Sequence, residues 1–262
     1  MKRLKDRAAI ITGAGTGIGK ATAIMFADEG AKVALVGRTI SRLEEVAKEI
    51  KSRNGIAKVK QCDVSSEKQV KDMTAGVIRE FGQVDVLVNN HAGGRGGGPI
   101  ANMDLDGWNE TVAIDLTGTM LCCREALKNM IPRKSGNIVN ISSIAGVTGA
   151  PGLGPYPASK AGIIGLTMTL SMEVGQYNIR VNSISPAATR TDRFEDPQKM
   201  FAKARGISFE EHMKEILARY SLNRIAEPSE VAAVILFLAS DESSAVTGQN
   251  IIVSCGYHSL HP

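Results

Sequence analysis

A tyrosine and a lysine stand four residues apart near the middle of the chain, shortly after two serines. Tyr156 and Lys160 occupy positions i and i+4 of a predicted helix, so both side chains lie on one face. A free tyrosine phenol has a pKa of about 10 and is a poor acid or base at neutral pH, but a nearby ammonium stabilises the phenolate. Ser142 and Ser143 end the preceding predicted strand, where a hydroxyl could hold the oxygen on which the tyrosine acts. The pattern favours proton transfer to a carbonyl oxygen, although chance alone can also put such a pair on a helix.

A glycine-rich turn near the start of the chain could hold a cofactor that carries phosphates. Between the first predicted strand and the first predicted helix, positions 12 to 19 read T-G-A-G-T-G-I-G. Glycines let the backbone approach a pyrophosphate, and the following helix N-terminus offers free N–H groups and a positive dipole end. The spacing differs from G-x-G-x-x-G, but its place between strand and helix predicts a dinucleotide site. The residues expected to line it are Gly13, Thr16, Gly17, Ile18 and Gly19.

The end of the second predicted strand bears on the choice between NAD and NADP. A site that prefers NAD usually places an acidic residue there to bind the ribose 2′-hydroxyl. This chain has Gly37 and Arg38 instead, and a guanidinium can grip a 2′-phosphate with two hydrogen bonds. We therefore expect NADP, with NAD as the alternative, although Arg38 could also be a surface residue that ends a strand.

Three residues after the next two strands are candidates for the same cofactor. Asp63 and Val64 follow the third predicted strand. The Asp63 carboxylate is suited to binding the adenine amino group, but it could instead form a turn or cap a helix. Asn90 follows the fourth strand, where it could brace the strand ends and meet a ribose. The glycine-rich loop at 93–98 could then wrap the cofactor.

Short apolar runs and segments of helical period alternate along the chain. Continuous apolar strands separated by helices are typical of a parallel sheet buried on both faces. We predict a single α/β domain over residues 1–262, with a Rossmann-like doubly wound sheet of about seven strands and helices on both faces. The predicted strands are 7–12, 32–36, 57–61, 84–88, 137–141, 179–184 and 249–253. The predicted helices are 17–29, 41–53 with Ser41 as its cap, 66–81 between Ser66 and Gly82, 106–130, 155–175 and 229–239.

Residues 187–222 break this alternation. The segment is rich in charged and aromatic residues and should contain one or two short helices. Connections of this length are often binding lids, so we predict a substrate lid, with a solvated surface excursion as the alternative.

Composition limits the partners and the compartment. Lys and Arg number 31 against 27 Asp and Glu, and the excess is spread along the chain, so no nucleic-acid surface is expected. The four cysteines have no zinc-like spacing and are predicted to be reduced thiols of a cytoplasmic protein with no metal. The charged start and the short apolar runs predict no signal peptide, no membrane span and no membrane partner.

Taken together, these motifs resemble the short-chain dehydrogenase/reductase family over essentially the whole chain. The resemblance implies that Tyr156 is the acid/base, that Lys160 binds the nicotinamide ribose and joins a proton relay, and that Ser143 holds the substrate oxygen. Ser143 precedes Tyr156 by thirteen residues, the family's usual interval. The family also implies a homotetramer packed through the helices after the fourth and fifth strands and the C-terminal strand. The matching motifs are Thr12–Gly19, Asp63, Asn89-Asn90, Ser143, Tyr156 with Lys160, and Pro186 with Thr189 and Thr191, which would contact the nicotinamide carboxamide.

Three positions depart from the family pattern. Asp115 stands where the family has an asparagine that positions a water linking the lysine to solvent. The carboxylate could accept the same hydrogen bond, so Asp115 joins the catalytic candidates, but it would add a charge. The N-N-A-G motif contains an extra residue, His91, and Ala187 replaces a glycine after Pro186.

The function predicted is reversible hydride transfer between NADP(H) and a small-molecule ketone or secondary alcohol. One alternative is a 3-oxoacyl thioester reductase, or less readily an enoyl reductase. That enzyme would need a route for a phosphopantetheine arm, which Lys199, Lys203 and Arg205 could line. A further alternative is a non-catalytic protein that senses the cofactor, although such a protein has little need for an intact Ser-Tyr-Lys set.

Overall fold

A parallel sheet of seven strands runs through the computed structural model, which describes residues 2–257. Its order is β3-β2-β1-β4-β5-β6-β7, and every neighbouring pair is parallel. The predicted doubly wound α/β fold is confirmed. The strands are β1 (Ala8–Thr12), β2 (Lys32–Gly37), β3 (Ile56–Gln61), β4 (Val86–Asn89), β5 (Gly136–Ile141), β6 (Ile179–Pro186) and β7 (Asn250–Val253).

Ten α-helices in residues 2–257 connect and cover these strands. None of them combines the length and the apolar character needed to cross a bilayer. The helices are α1 (Gly17–Asp28), α2 (Ile40–Ser52), α3 (Glu67–Phe81), α4 (Leu105–Val112), α5 (Gly118–Arg133), α6 (Ala145–Thr148), α7 (Pro155–Val174), α8 (Asp192–Arg205), α9 (Phe209–Leu217) and α10 (Pro228–Ala239).

Both faces of the sheet are buried. Successive strand residues point to opposite sides, and in this sheet each side has its own apolar core. Ala9 and Ile11 of β1 join an apolar core with Phe26 of α1. Ile10 lies between them in sequence and joins the opposite core, which contains Met130 of α5. Removing such large side chains from water contributes about 1.5–3 kcal/mol each. This two-sided burial is why the strands read as continuous apolar runs.

The strand order reverses beside β1, because β2 and β3 extend the sheet on one side and β4 to β7 on the other. In open parallel sheets, ligands bind outside the carboxyl ends of the strands at such a reversal. The cleft is therefore expected beyond Thr12 and Asn89, which end β1 and β4.

Two helix predictions need correction. The predicted helix 106–130 is divided into α4 and α5 by a π-helical turn, Ala113–Thr117, which contains Asp115. A π turn widens the helix locally and is common at functional sites. Ser41 is not a cap, since α2 begins at Ile40 after Thr39. By contrast, Ser66 accepts a hydrogen bond from Gln69 N, and Gly82 ends α3 with a φ of 88°.

The segment 187–222 contains α8 and α9, as predicted. It has a small apolar cluster of its own, which includes Met213 and Tyr220, with Phe194 and Phe209 packed against it. The Tyr220 ring lies 5.1 Å from the ring of Tyr257, near the end of the sheet. The segment is thus a packed unit beside the carboxyl ends of the strands.

Candidate active site

The glycine turn folds tightly back on itself at the end of β1. Gly13 and Gly17 have positive φ values of 63° and 51°, which favour glycine. A Cβ at Gly19 would lie 2.2 Å from the Gly13 oxygen, so no side chain fits there. Asn90 Nδ2 donates to the carbonyl oxygens of Thr12 and Gly13 at 3.1 and 3.2 Å and braces the turn.

The first turn of α1 faces this loop without a side-chain cap. Thr16 stands at the N-cap position, is exposed and makes no capping hydrogen bond. The first N–H groups of the helix thus have no side-chain acceptor from the cap, and they lie at the positive end of the dipole. The turn and the helix start together fit a pyrophosphate, which needs close backbone approach and free donors.

Arg38 and Asp63 lie together beyond β2 and β3. Arg38 is exposed, and a Cβ at Gly93 would lie 3.8 Å from its Nη2 atom, so the guanidinium reaches the loop after β4. Asp63 Oδ1 accepts from the backbone N and the hydroxyl of Ser65 at 3.0 and 2.7 Å. Burial raises the pKa of Asp63, but the two bonds from Ser65 and the charge of Arg38 leave it below the ordinary value. These two bonds match the turn-forming role that was the alternative for Asp63.

Val64, the next residue, is buried under the start of α5. A Cβ at Gly118 would lie 2.8 Å from its Cγ2 atom. Its side chain helps to fix the wall of the cleft by packing rather than by a polar contact.

The two serines at the end of β5 have different partners. Ser142 Oγ donates to the Lys160 carbonyl oxygen at 2.7 Å, which ties the strand end to α7. Ser143 Oγ accepts from Ala145 N at 3.2 Å, and its own O–H has no acceptor within residues 2–257. Ser143 is therefore the serine with a proton left to donate, in line with its choice from the sequence interval.

Tyr156 and Lys160 share one face of α7, which begins at Pro155. Tyr156 is half-buried, whereas Lys160 is only 2% exposed. Lys160 Nζ donates to the Ile141 carbonyl oxygen at 2.9 Å and lies 5.6 Å from the centroid of the Tyr156 ring. A buried cation thus lies beside the phenol ring.

Asp115 joins this pair from the π turn. It is fully buried, and its Oδ1 accepts from Gly93 N at 2.8 Å. Its Oδ2 has no hydrogen-bond partner in the described chain and lies 4.0 Å from Lys160 Nζ. Burial raises the pKa of Asp115, and the charges of Lys160 and Arg193 and the bond from Gly93 oppose this only in part.

His91, which the sequence marks only as an insertion, completes a buried hydrogen-bond network. The hydroxyl of Thr119 donates to the Asp115 carbonyl oxygen at 2.7 Å, and its oxygen lies 3.4 Å from His91 Nε2. His91 Nδ1 lies 2.7 Å from Thr12 Oγ1, whose hydroxyl also donates to the Val88 carbonyl oxygen at 3.3 Å. Burial, and then the charge of Lys160, lower the pKa of His91 to about 3, so the imidazole is neutral. Only the fold brings these distant threonines together.

Two threonines connect the segment 187–222 to the cleft. Thr189 is buried and donates to the Ala187 oxygen at 3.3 Å. Thr191 caps α8 by accepting from Phe194 N, and a Cβ at Gly17 would lie 3.0 Å from its methyl group. The start of this segment thus touches the glycine turn.

The predicted residues form two groups along the cleft. Ser143, Tyr156, Lys160 and Asp115 gather at its inner end, and Thr16, Arg38 and Asp63 lie at its outer end. Of the basic residues considered for a phosphopantetheine route, Lys199 contacts Glu195 and Asp196, and Arg205 contacts Glu215. Lys203 has no ion-pair partner among the described residues, so most of that basic surface is neutralised locally.

Known proteins resemble this chain over almost its full length. The family model described as enoyl-(acyl carrier protein) reductase matches residues 13–258. The 3-oxoacyl-(acyl-carrier-protein) reductase FabG of Thermotoga maritima is 39% identical over 254 residues, covering 97% of this chain and 98% of the relative.

Solved structures match the fold equally well. An NAD+-bound xylitol dehydrogenase superposes with a TM-score of 0.91 at 31% identity, covering 97% of this chain and 100% of the other. An actinorhodin polyketide ketoreductase with NADPH also gives a TM-score of 0.91, at 33% identity and 98% coverage of both chains.

Proposed function

The chain belongs to the short-chain dehydrogenase/reductase family of oxidoreductases that act on C=O and CH–OH groups, and we propose that it interconverts a ketone and a secondary alcohol with NADP(H). The observation that carries the proposal is the Lys160 ammonium, which is buried and lies 5.6 Å from the centroid of the Tyr156 ring. Ser143 adds an unused hydroxyl donor at the neighbouring strand end.

The protein's own residues provide positioning and the proton. In the reductive direction, the Ser143 and Tyr156 hydroxyls hold the carbonyl oxygen, and Tyr156 gives its proton to that oxygen as negative charge develops. The Lys160 ammonium stabilises the resulting phenolate. A bound nicotinamide cofactor would supply the hydride. The residues proposed to hold it are Gly13, Thr16, Gly17, Ile18, Gly19, Arg38, Asp63, Val64, Asn90, Tyr156, Lys160, Thr189 and Thr191.

NADP is proposed over NAD because of the charge at the outer end of the cleft. Arg38 is exposed at the end of β2, where its guanidinium is free to turn toward a 2′-phosphate. Structural neighbours have been solved with NADPH and with NAD+, so the residue at this position, rather than the fold, supports the choice.

Asp115 is proposed to hold Lys160 in place of the family's asparagine. Its Oδ2 atom lies 4.0 Å from Lys160 Nζ, and its Oδ1 atom is fixed by Gly93. The carboxyl group thus connects the loop after β4 to the catalytic helix, and it counts among the catalytic set together with Ser143, Tyr156 and Lys160.

A 3-oxoacyl thioester is the second candidate substrate class. The T. maritima relative carries that activity in its name, and one structural neighbour is named a polyketide ketoreductase. The ion pairs of Lys199 and Arg205 argue against those residues as the route for a phosphopantetheine arm. The intact Ser-Tyr-Lys set argues against a protein that only senses the cofactor.

The organisation proposed around this site follows the family. A single domain spans residues 1–262, with 187–222 as its substrate lid. A homotetramer in the cytoplasm would cover the exposed Met168 and Met172 of α7 and Ile252 of β7, which are 52, 77 and 39% exposed. Ala158, Ala161 and Gly165 would allow close packing there, whereas Gly162 packs against Leu116 of the same chain. No nucleic-acid or membrane partner is proposed.

A substrate panel tests the proposal directly. Initial rates are measured with NADPH and with NADH on simple ketones and on 3-oxoacyl thioesters. We expect turnover with NADPH to exceed that with NADH. Rates on simple ketones and on thioesters separate the two substrate classes. No turnover on either class would contradict the proposal, and a strong preference for NADH would contradict the role of Arg38.

A further inference from the structure

Arg193 extends from the first turn of α8 across the cleft. Its Nη1 atom donates to the Ala92 carbonyl oxygen at 3.1 Å, in the loop after β4. Among the described residues, no other side-chain hydrogen bond joins α8 or α9 to that loop. A guanidinium has five N–H donors, and one neutral carbonyl uses only one of them.

Arg193 lacks the carboxylate partner that its neighbours have. Arg190 pairs with Glu195 and Glu227, and Arg95 of the opposite loop pairs with Glu110. No carboxylate oxygen within residues 2–257 comes within 4.0 Å of the Arg193 guanidinium. Its exposed charge therefore remains available to an anion.

The position of Arg193 lies along the path that a dinucleotide must follow. Thr191, two residues before it, packs against Gly17 of the phosphate-binding turn. On the other side, Ala92 is followed by Gly93, whose N–H is bonded to Asp115 at the catalytic end. The lid root is fixed by the bridge between Thr189 and Ala226, so the start of α8 is held at this place.

We propose that Arg193 binds an anionic group in the cleft between the glycine turn and Lys160, with the pyrophosphate of the dinucleotide as its ligand. The inference rests on the proposed function for the identity of the cofactor. A carboxylate on the substrate has the same chemistry and is the other source of such an anion. In both cases the guanidinium joins the lid to the bound molecule through charge-assisted hydrogen bonds.

Three variants test this site by calorimetric titration with NADP+ and with NAD+. Arg193→Gln keeps a donor for Ala92 but removes the charge, and Arg193→Lys keeps the charge. Arg219→Gln, an exposed lid residue, is the matched control. We expect Arg193→Gln to bind both dinucleotides about tenfold more weakly, with Lys restoring part of the loss and the control unchanged. Higher salt should narrow the difference in dinucleotide affinity between Arg193→Gln and the wild type.

A second arm distinguishes the source of the anion. The values of kcat/KM for acetoacetate and for methyl acetoacetate are compared in the same variants. A loss on the acid alone, with unchanged dinucleotide affinity, would retain the anion site and assign it to the substrate. Unchanged affinity for both dinucleotides and an unchanged ratio between the two ketones would overturn the proposal. The titrations need no turnover, so an inactive wild-type protein would contradict the proposed function without deciding this site.

Discussion

The inner and outer ends of the cleft are built in opposite ways. At the inner end, Asp115 and Lys160 are 0 and 2% exposed, and His91 lies beside them at 9%. At the outer end, Thr16 and Arg38 are exposed, and Asp63 is half-buried. Charges at the inner end act in a low dielectric and are held by the core, whereas charges at the outer end are screened by water and salt. Substitutions at the two ends should therefore differ in kind, affecting turnover and folding at one end and ligand affinity at the other.

The largest effect is expected at Tyr156. Tyr156→Phe removes the proposed proton donor but keeps the ring beside Lys160, so kcat should fall about a thousandfold while the dissociation constant for NADP+ changes little. Steady-state rates and calorimetry measure both quantities. Tyr177→Phe, which changes a half-buried tyrosine outside the cleft, is the control. A variant that retains comparable turnover would remove Tyr156 from the mechanism.

At the outer end, Arg38→Ala should change affinity without changing the chemical step. The KM for NADPH is expected to rise about tenfold, because a charge-assisted contact to the 2′-phosphate is lost, while the KM for NADH stays nearly constant. Lys48→Ala, on the exposed face of α2, controls for a general loss of positive charge. Equal increases for both cofactors would mean that Arg38 does not read the 2′-phosphate.

His91 should make the inner end sensitive to acid. Its pKa is lowered to about 3, against about 6.5 in an unfolded chain. A group whose folded pKa is depressed contributes stability above the unfolded pKa and loses it as the pH falls toward the folded value. Between pH 6.5 and pH 5, this residue should therefore remove up to about 2 kcal/mol of folding stability.

The variant His91→Gln isolates this contribution. Urea denaturation at pH 7.5 and pH 5 should show a smaller loss of unfolding free energy in the variant than in the wild type, although the variant is less stable at pH 7.5. Nitrogen NMR at pH 5 should also report a proton on only one ring nitrogen of His91. An equal pH dependence in both proteins would contradict the buried neutral imidazole.

The smallest effect is expected from Asp115→Asn, which restores the amide of the family pattern. Burial raises the pKa of Asp115. Ionising its carboxyl group therefore costs folding stability as the pH rises from the ordinary aspartate pKa to the raised pKa of the folded protein. The variant should be more stable than the wild type near pH 7.5, and the difference should shrink as the pH falls toward the ordinary aspartate pKa of about 3.9. A variant that is less stable at neutral pH would show that the ion pair with Lys160 outweighs burial.

Local signals made much of the fold predictable. The apolar strands, the Ser66 cap and Gly82 at the end of α3 are set by short-range chemistry and burial, and all were predicted. The motifs also identified Ser143, Tyr156 and Lys160, which the fold brings to one end of the cleft. The single helix 106–130 was wrong, since the π turn at Asp115 accompanies a bond to Gly93 from a distant loop.

Contacts between distant segments account for what the sequence could not show. His91 joins Thr12 to Thr119, and Arg193 reaches Ala92, across separations of 28 to 101 residues. The sequence marks His91 only as an extra residue within a motif, and no local pattern marks Arg193. Arg38 could be named as a cofactor candidate because a strand end fixes its place in the chain. Its approach to Gly93, however, depends on the loop after β4.

Hydride transfer itself is the claim that isotope labelling tests most directly. The protein is incubated with a ketone that it turns over and with NADPH that carries deuterium at both C4 positions. The product is then analysed by mass spectrometry and NMR. The account predicts one deuterium on the carbinol carbon and a solvent proton on the oxygen. An alcohol with no deuterium at that carbon would contradict it.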